Sequence, residues 1–98
     1  MKELLNNLNK LLENRVRLGI MSALVVNKSI DFNTLKDLLD VTDGNLASHL
    51  KSLEKHDFLE VRKQFIGRKP HTTYIITNHG KTVFNQHLDA LEQLIKGN

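Results

Sequence analysis

Residues 42–57 read TDGNLASHLKSLEKHD. At about 100° per residue, Leu46, Leu50 and Leu53 fall within roughly 60° of one another around a helix. Gly44, Ser48, Lys51 and Lys55 lie nearly opposite, with Asn45 and Ser52 beside them. Thr42 can cap the helix, because its hydroxyl can accept from an unpaired first-turn N–H. His49 sits near the edge of the apolar stripe. One face is therefore core. The other needs either water or a partner.

Upstream, Leu35, Leu38 and Leu39 form a shorter amphipathic helix, with Asn33 or Thr34 as its cap. A turn of about three residues ending at the Thr42 cap joins the two helices, which predicts a helix-turn-helix. Ile30 and Phe32 alternate with polar residues, as in a very short strand. Val16, Leu18, Ile20, Met21, Leu24 and Val25 make the preceding helix apolar around most of its circumference, so it belongs at the centre. Asn14 can cap it. Leu4, Leu5, Leu8, Leu11 and Leu12 recur at three- and four-residue steps and predict one amphipathic helix over residues 2–13.

Downstream the period changes to two. FLEVRKQFIG carries Leu59, Val61 and Phe65 on one side of a strand. GRKP is turn material, and the β-branched HTTYIIT supplies the return strand. Thr77 or Asn78 then caps a last helix over residues 78–96, with Val83, Phe84, Leu88, Leu91, Leu94 and Ile95 as its stripe. The expected fold is mainly α with a small β-hairpin (α+β). It is a winged helix-turn-helix with flanking terminal helices, in one domain spanning 1–98.

Composition narrows the function. The chain has 98 residues, a net charge of +3 and no cysteine. Disulfides, cysteine-ligated zinc and thiol chemistry are excluded. No apolar run approaches the roughly 20 residues of a membrane span, and MKELLNNLNK interrupts its leucines, unlike a signal peptide. A cytoplasmic protein is expected. No phosphate loop, nucleophile elbow or paired ligand motif appears, so no enzyme and no cofactor are expected. The last helix holds His79, His87, Asp89 and Glu92, but His87 and Asp89 lie roughly 200° apart. No metal site is expected from that spacing, and a metal-responsive regulator stays an alternative.

The hairpin points to double-stranded DNA. Between Val61 and Leu88 stand Arg62, Lys63, Arg68, Lys69 and Lys81, and no acid. A helix fits the major groove, where base edges show distinct donor and acceptor patterns. Gly44 and Ser48 allow close approach. Asn45 can donate to and accept from one base, and Ser48, His49 and Ser52 can reach bases or phosphates. Lys51 and Lys55 add charge. Thr42 and the helix N-terminus can hold a phosphate, while Asp43 is expected to point aside. Arg68 and Lys69 would grip the backbone or the minor groove. Arg62 and Lys63 point to opposite sides of a strand, so only one can face DNA. Arg62 is taken as that one.

Three pieces resemble the MarR-like and ArsR-like winged-helix transcription regulators: NRVRLGIMSALV, LASHLKSLEKHDFLEV and GRKPHTTYIITNHG. The likeness spans roughly residues 14–85 and implies a DNA-binding repressor. Two positions depart from the pattern. Asp57 stands where those proteins usually have Gly in a left-handed conformation. His71 stands where the wing often carries Arg, and the resemblance implies that it too meets DNA. In this group the flanking helices pair two subunits, which implies a homodimer through Leu4, Leu5, Leu8, Leu11, Leu12, Phe84, Leu88, Leu91 and Ile95. The implied arrangement leaves room for an unidentified small-molecule effector between the dimer helices and the DNA-binding core. A winged helix that binds only another protein is the rival reading, since fold does not fix function.

Overall fold

The computed structural model describes Met1–Gly97. The last residue of the expected domain, Asn98, lies outside the described residues. In order, the elements are α1 (Lys2–Asn6), a 3₁₀ turn (Lys10–Glu13), α2 (Arg15–Val25), β1 (Ile30–Asp31), α3 (Phe32–Leu39), α4 (Asp43–Lys55), β2 (Leu59–Ile66), β3 (Lys69–Ile76) and α5 (Asn78–Ile95). The three strands form one antiparallel sheet in the order β1-β3-β2.

The single helix expected over residues 2–13 is broken. Asn9 is extended, its side chain accepts from the N–H of Leu11, and its own N–H donates to His87 Nδ1 at 3.0 Å. This bond to α5 takes an N–H that would otherwise serve the helix ladder, and it turns the chain toward the core. The cap of α3 also differs from expectation. Asp31 accepts from the N–H of Thr34, and Phe32 opens the helix instead of ending the strand. An aspartate before the first helical residue offers a charged acceptor to the N-terminus, which a hydroxyl at Thr34 cannot match from inside the turn.

The other caps are as expected. Asn14 accepts from the N–H groups of Val16 and Arg17, Thr42 from Asn45, and Thr77 from Gly80. Each cap contributes about 1 kcal/mol. Asp57 is left-handed, with φ 62°. That conformation turns the chain from α4 into β2, and the Phe58 N–H closes onto Leu53 O.

Ile20, Met21 and Leu24 of α2 lie at the centre. Around them pack Leu12, Leu35, Leu46, Leu50, Leu53, Phe58, Leu59, Tyr74, Ile76 and Phe84. Burying a side chain of this size contributes roughly 1.5–3 kcal/mol. The start of α5 is pressed against the end of α4. Thr77 Oγ1 donates to Asp57 O, and a Cβ on Gly80 would lie 2.1 Å from Phe58 O. Only glycine fits there.

Beyond Val61 the hairpin leaves the core. Every residue from Arg62 to Pro70 is exposed. The turn is a two-residue loop, Gly67-Arg68, with Gly67 at φ 64°. Lys69 and Pro70, expected in the turn, begin β3 and pair with Ile66 and Phe65.

Candidate nucleic-acid interface

Helix α3 ends at Leu39 and α4 begins at Asp43, so the turn is Asp40-Val41-Thr42. Asp40 adopts a left-handed conformation and its N–H bonds to Lys36 O, which stops α3 cleanly. Asp43 turns aside as expected. It makes an ion pair with Lys36 at 2.8 Å, and this bond holds the lysine's pKa above its ordinary value. The acid at the helix start is thereby partnered within the chain.

Around α4 the structure distinguishes three flanks. The first carries Leu46, Leu50 and Leu53 into the core, with His49 at its edge. Arg17 Nη1 donates to His49 Nδ1 at 3.0 Å, while Arg17 Nε donates to Leu11 O at 2.6 Å. One guanidinium thus ties the 3₁₀ turn, α2 and α4 together. Burial, and then the neighbouring Arg17 charge, lower the His49 pKa, so the imidazole is neutral at pH 7 and free to accept. This bond occupies one ring nitrogen and sets His49 in the seat of the helix. This is the position at the edge of the apolar stripe that the sequence predicts.

The second flank faces the wing. Ala47, Leu50, Lys51 and Glu54 meet Val61, Lys63, Thr72 and Tyr74 across an open groove of about 550 Å³. Lys51 therefore points toward the wing instead of the outward pole. Burial raises the pKa of Tyr74 at the groove floor, and the Glu54 charge adds to this.

The third flank is open. Gly44, Asn45, Ser48 and Lys55 are exposed and Ser52 is half-buried. Among the described residues, none of these side chains has a hydrogen-bond or ion-pair partner. Gly44 has no intramolecular reason to be glycine, because a Cβ there would meet nothing within 4 Å.

The wing brings different residues to the helix than expected. The pleat puts Lys63 on the face of Val61 and Tyr74, lining the groove with Lys51. Arg62 lies on the opposite face and approaches Glu60 at 3.8 Å. Counting from the buried Leu59 would have placed Lys63, and not Arg62, on the side of the hairpin that meets α4. Arg68 and Lys69 stand exposed at the tip. His71 is half-buried opposite Gln64. The sequence reading missed Arg17 as a strut, and it missed Phe65 as an exposed residue.

The expected dimer residues divide. Leu12 and Phe84 are 1% and 4% exposed, inside the core of their own chain, and Leu11 packs against that core. Leu12 and Phe84 are corrected, because their surface is already covered, while Leu11 is half-buried. Leu5, Leu88 and Ile95 are exposed, and Leu4, Leu8 and Leu91 are half-buried. The last helix's other polar groups are spread out. His87 is buried and accepts from Asn9, His79 lies against Phe58 with ring centroids 5.5 Å apart, and Glu92 pairs with Lys96 at 2.7 Å. Burial lowers the His87 pKa, against a smaller opposing effect of Glu13. Asp89 lies apart from these, beside Asn7 and Gln93. Among the described residues, no three His, Asp or Glu side chains converge as a metal would need. No helix there is long and apolar enough to cross a membrane.

The family model described as a winged helix DNA-binding domain matches residues 16–95. An uncharacterized protein of Methanocaldococcus jannaschii is 38% identical over 87 residues, covering 89% of this chain and 95% of that protein. A transcriptional regulator homologue of Pyrococcus horikoshii superposes with a TM-score of 0.89 at 35% identity, covering 99% of this chain and 97% of the other. A MarR-family regulator of Enterococcus faecalis shares the fold, with a TM-score of 0.70 at 23% identity over 88% of this chain and 74% of its own.

Proposed function

We propose, from the premise that this chain belongs to the winged helix DNA-binding domain family, that it is a sequence-specific repressor acting as a homodimer. Membership makes it a DNA-binding transcription regulator and not an enzyme. The finer reading rests chiefly on the open flank of α4. Gly44, Asn45, Ser48 and Lys55 face away from the chain without internal partners, and Gly44 lacks a Cβ that the fold would have accommodated. Glycine near a helix N-terminus costs stability. A duplex against that surface accounts for it, because backbone can then approach base edges or phosphate closely.

In this reading α4 enters the major groove. Asn45 and Ser48 read base edges, and Lys55 and the N-terminal turn at Thr42 meet phosphates. Lys51 and Lys63, facing each other across the groove beside the wing, add cationic surface between helix and hairpin. Arg68 and Lys69 grip the backbone beside the minor groove. Leu5, Leu88 and Ile95, with the half-buried Leu4, Leu8 and Leu91, supply the surface a second copy would cover. A two-fold pair would place its recognition helices roughly 34–36 Å apart, one helical turn of DNA. The whole chain then acts as one domain, with its terminal segments serving the pairing. An effector that altered that pairing would move the two helices out of register.

Selection of sites from a random DNA pool, with binding measured across salt concentrations, tests the reading. Cognate DNA should bind with an affinity that falls steeply with salt, because each phosphate contact releases counterions. Arg68→Ala or Lys69→Ala should weaken cognate and random DNA alike and reduce the salt slope by about 1 each. Absence of DNA binding at low salt would favour a protein-binding module. Sedimentation giving a monomer at micromolar concentration would remove the dimer.

A further inference from the structure

Helix α4 is seated on leucines, and leucines alone do not fix its angle. Apolar contact is non-directional. Leu46, Leu50 and Leu53 therefore hold the helix against the core without specifying its rotation about its own axis. A hydrogen bond is directional and works over a range of roughly 2.7–3.2 Å. Among the described residues, the Arg17–His49 bond is the one side-chain hydrogen bond that joins α4 to α2. His49 stands beside Ser48 and one helical turn after Asn45, the two residues assigned to base edges.

Arg17 is itself held from below. Its backbone N–H donates to Asn14 Oδ1 at 3.1 Å, and its Nε donates to Leu11 O at 2.6 Å. The Leu11 N–H donates to Asn9 Oδ1 at 2.9 Å, and the Asn9 N–H donates to His87 Nδ1 at 3.0 Å. His87 is 3% exposed, on the inner side of α5. Four hydrogen bonds thus run from the interior of α5, through the 3₁₀ turn and Arg17, to α4. We infer that Arg17 and His87 are positioning residues of the DNA site. They act through this strut to set the angle of α4, and with it the choice of cognate over random DNA.

The segment between them needs such an anchor. Leu4, Leu5, Leu8, Leu11 and Leu12 repeat at helical steps, so an uninterrupted helix is open to residues 2–13. In that helix Asn9 would leave its extended conformation (φ −93°, ψ 123°) and its N–H would join the ladder, which cuts the path from α5 to Leu11. His87 takes that N–H and holds the broken form that presents Leu11 O to Arg17. Arginine is required at the other end. Its planar fork reaches two acceptors in fixed directions, whereas the single amino nitrogen of lysine cannot span both. Phosphate contacts tolerate a small rotation of α4, and base contacts do not, so the strut bears on specificity. The inference rests on the DNA-binding reading of α4, and the experiment separates the two.

The full chain, carrying Arg17→Lys, His87→Leu or both, is titrated with a selected duplex and with random DNA. The titrations are run at about pH 8, where both imidazoles are neutral. Arg17→Lys should lower cognate affinity by roughly tenfold and His87→Leu by roughly threefold, the scale of coupling through packed networks, with random DNA changed by less than about twofold. A merely structural role would lower the folded fraction and weaken both DNAs in proportion, leaving their ratio unmoved. The double variant should lose no more than Arg17→Lys alone, because one strut can be cut only once. An unchanged ratio in either single variant, or additive losses in the double, would overturn the strut and leave the DNA-binding reading intact. Should Arg17→Lys fail to fold, Asn9→Ala is compared with Asn9→Asp, which keeps an oxygen to accept from Leu11. The ratio should fall in the first and hold in the second, and equal ratios would overturn the strut. A wild type that bound no DNA would overturn both readings.

Discussion

Helices α2 and α4 pack against each other and have nearly the same length, 11 and 13 residues. Along α2 only Arg15 and Ser22 are exposed, so nearly every side chain meets another part of the chain. Along α4 only Leu46, Leu50 and Leu53 are buried, while Gly44, Asn45, Ser48 and Lys55 face outward. The contrast separates two kinds of constraint. Residues of α2 are explained by packing. The outward residues of α4 are not, and their chemistry is left for a partner.

The sharpest way to test that division is a substitution at the centre of α2. Leu24→Ala removes a fully buried side chain and should destabilise the fold by about 2–5 kcal/mol, read as a lower midpoint in chemical denaturation. A loss as small as that of an outward α4 substitution would erase the difference between the helices.

Acid should break the contact between the two helices next. His49 and His87 both have pKa values held below the ordinary 6.5, chiefly by burial. The unfolded chain therefore takes up protons at a higher pH than the folded one. The stability from these sites is complete above about 6.5 and is lost as pH falls through the lowered folded values. Thermal midpoints measured from pH 8 to pH 5 should decline below about 6.5. His49→Gln should reduce that decline while His87 continues to contribute. An equal decline in this variant would show that the Arg17–His49 contact is not part of the acid response.

Gly44→Ala should stabilise the fold by about 0.5 kcal/mol, because the helix gains a better former where nothing obstructs a Cβ. DNA affinity should fall in the same variant. Opposite signs in a melting curve and a binding titration would be hard to explain unless DNA approaches this surface.

Ser48→Ala and Asn45→Ala should change stability least, within about 0.5 kcal/mol. Loss of Asn45 contacts to a base should weaken cognate binding by about 1–3 kcal/mol and random DNA much less. Equal weakening on both DNAs would move Asn45 from base reading to phosphate holding.

Much of this arrangement was legible in residue order. Apolar spacing located α2, α4 and α5, the change to alternation located the hairpin, and Asn14, Thr42 and Thr77 marked helix starts that the structure retains. These signals are local. Helical and strand periods, and side chains that satisfy N–H groups two or three residues ahead, act within a few residues and can be read without knowing the neighbours. The left-handed turn at Asp57 was implied by the family resemblance instead, and the structure retains it.

Tertiary structure decided who covers whom. The leucine pattern of residues 2–13 suited one helix, but His87, 78 residues beyond Asn9, takes the N–H that breaks it. Leu12 and Phe84 looked like surplus surface until the core closed over them, and the position of His49 at the stripe edge did not show that Arg17 would be its partner. Alternation assigned Phe65 to the side of Leu59 and Val61, yet the hairpin extends beyond the last element that could bury it. Periodicity reports which face of an element is apolar. Whether that face is covered depends on how far a neighbour reaches, and that distance is set only when the whole chain packs.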